Sequence, residues 1–158
     1  MIPSRPPSLK ARALRLLAQR EHSRVELERK LAPYLPEDAP DPAAALARVL
    51  DELVSKGFIS EARVAESLIH RRAGRLGTSR VLQELRGKGL DEDLLADAAS
   101  RLRATEFERA REVWCKKFGA PAEDAAGRAK QMRFLAARGF EAEVVRRVLR
   151  DADVSPEE

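Results

Sequence analysis

The segment Leu85-Arg86-Gly87-Lys88-Gly89-Leu90, followed by Asp91, Leu94 and Leu95, has a counterpart about fifty residues later. There Leu135-Ala136-Ala137-Arg138-Gly139-Phe140 is followed by Glu141, Val144 and Val145. Each copy ends one apolar run of helical spacing at a glycine and starts another behind an acidic residue, so the period marks a repeated supersecondary unit. A first copy fits more loosely. Ser23, Leu27 and Leu31 correspond to Gly77, Val81 and Leu85, and then to Gly127, Gln131 and Leu135, with a proline-rich insertion.

Local signals divide the units into short helices. Leu9, Ala13, Leu16 and Leu17 share one helical face, and Ser23 with Glu26 has the spacing of a capping box ahead of Leu27 and Leu31. Prolines at 36, 40 and 42 interrupt the chain, after which Asp41 and Pro42 suit the cap and first position of a helix carrying Leu46, Val49, Leu50 and Leu53. Ser60 caps the helix of Val64, Leu68 and Ile69, and Gly74 and Gly77 bracket the turn to Val81, Leu82 and Leu85. Asp91 caps the next helix. Thr105 with Glu108 reads as another capping box, opening a helix of Phe107, Ala110, Trp114 and Phe118 that Gly119 and Pro121 close. Two more helices end the chain.

The expectation is an all-α protein of nine helices in three tandem three-helix repeats, residues 1–59 (linker 36–42), 60–104 and 105–158. A three-helix unit of this size buries little apolar surface alone, so neighbours should share core and form an elongated, curved rod. The composition agrees with helix: 35% of residues are charged and 4% aromatic.

Small-molecule chemistry finds few residues. His22 and His70 stand far apart without a metal-binding motif, and the glycines sit at helix ends, not in phosphate loops or a dinucleotide fingerprint. Asp91-Glu92-Asp93 opens a helix, where carboxylates favour the macrodipole. Trp114 and Phe118 read as core. No cofactor, metal or catalytic residue is expected. The lone Cys115 suits a reducing compartment, and no apolar run or signal sequence points to a membrane, so the expected location is the cytoplasm.

With 30 Lys and Arg against 26 Asp and Glu, the net charge is +4, and its placement matters more than its size. Arg71, Arg72, Arg75, Arg80, Arg86 and Lys88 cluster with Glu84 as the one acidic residue between them. Arg128, Lys130, Arg133 and Arg138 occupy the equivalent region of the third repeat, and Arg20, Arg24 and Lys30 stand near it in the first. Lys116 and Lys117 end an intervening helix. Aligned by the repeat, such patches can track a phosphate backbone; the plainer reading is a solvated helix face.

Several of these strings resemble the RecX family of bacterial regulatory proteins. The segment from Arg20 to Leu31 is similar to its early helix signature, and Leu53 to Ala65 resembles its first junction, with Ser60 replacing the usual acidic residue and Val64 the usual aromatic one. Gly77 to Leu90, Lys116-Lys117-Phe118 and Phe134 to Leu149 resemble the later signatures. The resemblance implies a monomeric modulator that binds the RecA nucleoprotein filament on single-stranded DNA and suppresses its ATPase, strand-exchange and co-protease activities. It implies no catalytic residue. Two other readings remain open at this stage: a DNA-binding module or transcriptional repressor contacting duplex through basic helices, with direct single- or double-stranded binding, and a structural adaptor for acidic proteins.

Overall fold

A computed structural model describes residues 5–154; the first and last four residues, including part of the opening segment and the end of the third repeat, lie outside it. The described residues form eight α-helices and one 3-10 turn, with no strand: α1 (Leu9–Gln19), α2 (Arg24–Leu31), the turn Ala32–Tyr34, α3 (Pro42–Ser55), α4 (Glu61–Arg72), α5 (Thr78–Gly87), α6 (Glu92–Lys117), α7 (Ala125–Ala137) and α8 (Ala142–Asp153). The all-α expectation holds.

The helix starts follow local chemistry. Ser23 and Glu26 complete the capping box of α2. Asp41 accepts from the Ala44 N–H with Pro42 in the first turn of α3. Ser60 accepts from the Arg63 N–H at 3.2 Å, and Asp91 from the Leu94 N–H at 2.9 Å. Each cap satisfies an N–H that the first helical turn cannot pair internally.

One expected start is absent. Thr105 lies inside the 26-residue α6, so nine expected helices become eight, and the boundary between residues 104 and 105 falls within a helix. The stretch from Glu92 to Lys117 has no glycine or proline to break it. A threonine in such a stretch turns its hydroxyl back along the helix: Thr105 Oγ1 donates to the Leu102 carbonyl at 3.4 Å and accepts from Arg109 Nε at 3.0 Å.

The chain divides into two compact units, one running through Ser67 and including Lys88–Leu90, the other comprising Leu68–Gly87 and the chain from Asp91 onward. The first unit's core gathers Ala13 of α1, Leu27 and Leu31 of α2, Leu46, Leu50 and Leu53 of α3, and Ile59. In the second unit α6, α7 and α8 enclose Ala110, Trp114, Leu135, Phe140, Val145, Val148 and Leu149. Trp114 is core as expected; its Nε1–H donates to Gln131 Oε1 at 2.9 Å inside the cluster.

A repeat-equivalent contact occurs once in each unit. In the first, Ser23 Oγ donates to the Lys88 carbonyl at 2.6 Å, and Gly89, at φ +72°, packs where a Cβ would meet the Val25 side chain. In the second, the Gly77 N–H donates to the Arg138 carbonyl at 2.7 Å beside Gly139, at φ +90°. Ser23 corresponds to Gly77 in the repeat and Lys88 to Arg138, so in both cases the start of a repeat's middle helix receives the carbonyl that precedes a left-handed glycine.

Candidate macromolecule-binding site

A cation hydrogen-bonded to a carboxylate is already neutralised, whereas an unpaired exposed cation keeps its charge for a phosphate or a carboxylate of a partner. The basic residues singled out from the sequence divide on this criterion.

In the first unit most serve the fold. Arg20 donates to Glu26 Oε2 and to the Glu21 carbonyl, both at 2.8 Å, while Lys88, only 16% exposed, lies 3.1 Å from Glu26 Oε1. Burial of the Glu26 carboxyl works to raise its pKa, but Arg20, the Ser23 N–H and Lys88 together prevail and hold it at about 2. Arg24 bonds Asp51 at 2.5 Å and Glu28 at 3.3 Å, and the Asp51 bond raises its pKa further. Lys30 is exposed, and its ammonium lies 3.1 Å from Nε2 of the buried His22. Burial lowers the His22 pKa, and the neutral ring fits its surroundings: Nδ1–H donates to the Arg20 carbonyl at 3.0 Å and Nε2 accepts from Lys30.

In the second unit several candidates are also engaged. Arg72 lies 3.4 Å from Glu84, Arg128 bonds Asp153 at 2.7 Å, and Lys116 bonds Glu112 at 3.1 Å. Arg80 donates to the Ala137 carbonyl at 2.8 Å. Lys117 and Arg138 lie against the Phe134 ring, 5.4 and 5.0 Å from its centroid, within cation–π range. The remaining five, Arg71, Arg75, Arg86, Lys130 and Arg133, are exposed, and their side chains have no hydrogen-bond, ion-pair or ring partner among the described residues. They sit at the end of α4 and the following turn, on α5 and on α7.

Two residues that the sequence reading passed over position part of this set. Glu106, buried in α6, accepts the Thr78 N–H at 3.0 Å and so caps α5 from outside. Three residues on, Arg109 donates to the carbonyls of Ala73 at 2.9 Å, Leu76 at 2.6 Å and Leu102 at 2.8 Å. The α4–α5 turn that carries Arg75 is therefore pinned to α6 at both ends. Burial lowers the Arg109 pKa, against the pull of Glu106. No local pattern announces this pair, because its partners Thr78, Ala73 and Leu76 belong to a turn far earlier in the chain.

Among the described residues no group of three potential metal-ligating side chains converges, and no helix is long and apolar enough to cross a membrane. The fold defines an all-α helical-repeat protein. Within that class the family is explicit: the second and third three-helix domains of RecX match residues 60–98 and 104–149, and the chain belongs to the RecX family. The Regulatory protein RecX of Leptothrix cholodnii is 56% identical over 146 residues, covering 92% of this chain and 90% of that protein. That of Pseudomonas entomophila is 41% identical over 155 residues, with 94% of each chain covered. A crystal structure of RecX from Lactobacillus salivarius has a TM-score of 0.73 at 18% identity, covering 93% of this chain and 96% of that one, a likeness of fold.

Proposed function

We propose that this chain is a cytoplasmic regulator that binds the RecA nucleoprotein filament on single-stranded DNA and inhibits its ATPase, strand-exchange and co-protease activities. It acts as a monomer, by binding and without catalysis or cofactor. The observation that carries this reading is family membership: relatives named Regulatory protein RecX match at 56% and 49% identity over more than nine-tenths of the chain. Three tandem repeats, with boundaries near 59/60 and 104/105, are the organisation we propose, supported by family-domain matches at 60–98 and 104–149.

The unpaired cations Arg71, Arg75, Arg86, Lys130 and Arg133 are the proposed contacts to the filament. Charges without an internal carboxylate can meet phosphate or an acidic protein surface without first breaking a bond in the fold. The test is the single-strand-dependent ATPase of the cognate RecA as this protein is titrated in. Inhibition well below one copy per RecA protomer supports blocked filament growth, and inhibition saturating near equivalence supports occupancy along the filament. No change at any dose, with no filament binding, overturns the reading and favours a duplex-binding module.

A further inference from the structure

The first unit contains a cleft that none of the basic patches above includes as a whole. Arg12 and Arg15, one turn apart on α1, line it together with Lys30 at the end of α2, Tyr34 in the 3-10 turn, and Leu16 and Leu31. The space between them is about 230 Å³, and among the described residues no carboxylate lines it.

Three observations describe what such a cleft can hold. Its cations are uncompensated: Arg15 is exposed and without a partner among the described residues, and Lys30 meets only the imidazole of His22. Elsewhere in the same unit Lys10, Arg20, Arg24, Lys56 and Arg63 are each tied to a carboxylate. Tyr34 is 51% exposed, and the Arg12 guanidinium carbon stands 3.8 Å from the centroid of its ring. An exposed aromatic ring backed by arginine, with further cations beside it, is the arrangement on which unpaired bases stack while their phosphates meet charge. The cleft is also smaller than the roughly 300–1,000 Å³ of pockets that enclose a drug-sized ligand, so it suits one base of a longer strand.

We infer that this cleft binds single-stranded nucleic acid, one base stacking on Tyr34 and the flanking phosphates contacting Arg15 and Lys30. A duplex keeps its bases paired and offers Tyr34 no free face, and an acidic peptide uses the cations but not the ring. The inference stands apart from the filament reading, whose proposed contacts are in the second unit, and its test contains no recombinase.

The experiment uses the full chain with a fluorescein-labelled oligothymidylate in which one base is replaced by 5-iododeoxyuridine. Photocrosslinking should map to Tyr34, the one tyrosine of the sequence. By fluorescence anisotropy, Tyr34→Ala should weaken binding about fivefold or more while Tyr34→Phe stays near the parent, since stacking needs the ring and not the hydroxyl. Arg15→Gln and Lys30→Gln should each reduce the slope of log affinity against log salt by about 0.7. Crosslinks only outside residues 12–34, unchanged affinity in Tyr34→Ala, or displacement of the strand by an equimolar glutamate-rich peptide or by free thymidine monophosphate would each overturn the proposal.

Discussion

Gly77 and Gly139 meet backbone to backbone: a Cβ added at Gly77 would lie 2.2 Å from the carbonyl carbon of Gly139. The neighbouring Gly77 N–H to Arg138 carbonyl bond, at 2.7 Å, requires this approach. A methyl group there must push two backbone segments apart, and neither is a flexible side chain that can swing away. Gly77→Ala should therefore destabilise the fold by roughly 2–3 kcal/mol, the upper part of the range for overpacking. At Gly87, in the last turn of α5, an added Cβ meets nothing within 4 Å, and Gly87→Ala should stabilise by about 0.5–1 kcal/mol. Urea unfolding midpoints of the two variants should move in opposite directions; equal shifts would contradict the contact.

Glu106 and Arg109 make a second test of the same region. Glu106→Ala removes the acceptor of a buried N–H, and Arg109→Ala strips the donor from three carbonyls; each should cost roughly 2–3 kcal/mol. Both act on the turn between α4 and α5, so the double variant should lose less than the two losses added. Arg109→Lys should not restore stability, because one ammonium cannot span the carbonyls that the planar guanidinium reaches. Additive losses in a double-mutant cycle would show that the two residues do not act on a common turn.

Acid should weaken the first unit in two stages. The His22 pKa is lowered below 6.5, chiefly by burial, so below about pH 6.5 the unfolded chain takes up that proton first and stability falls. Glu26 is held at about 2 against an ordinary 4.5. Its contribution, roughly 3 kcal/mol, is complete above the unfolded value and is lost as pH falls from there towards about 2. Urea midpoints recorded against pH should flatten in the upper range for His22→Gln and in the lower range for Glu26→Gln. Parallel curves for parent and variants would exclude both assignments.

The division between paired and unpaired cations predicts two kinds of variant. Charge reversal at Arg71, Arg75 and Arg133 should weaken binding to the RecA filament at least tenfold, taking about 0.5–1 kcal/mol for each lost exposed charge contact, and should leave the thermal midpoint within a few degrees. Reversal at Arg20 or Lys88 should instead lower the midpoint, since each would face Glu26 with a like charge. Filament binding by anisotropy beside thermal unfolding separates the two classes. Intact affinity in the triple variant would remove these residues from the interface.

Helix starts were legible because caps act over three residues: Ser23, Asp41, Ser60 and Asp91 each bond an N–H within that distance. The same short range explains the error at Thr105, whose spacing to Glu108 imitates a cap although the chain is already helical there. For the basic residues, the sequence showed the clustering but not the pairing. Arg24 finds Asp51 27 positions away, and Arg80 finds the Ala137 carbonyl 57 positions away. The cleft of Arg12, Arg15 and Tyr34 is not legible in the sequence because Tyr34, in the 3-10 turn, is far along the chain from the two arginines of α1 and the three form no run.

What the sequence determined by itself is whatever depends on neighbours one or two helical turns apart, namely helix periodicity, caps and glycine stops, and the recurrence of those local patterns some fifty residues later carries the family likeness. Tertiary structure alone decided which cations keep their charge, that Glu106 and Arg109 fasten the α4–α5 turn, and that Gly77 must remain glycine. These depend on where remote carbonyls and carboxylates come to lie. A charge is neutralised by whatever stands within about 4 Å of it, and chain order does not set that distance.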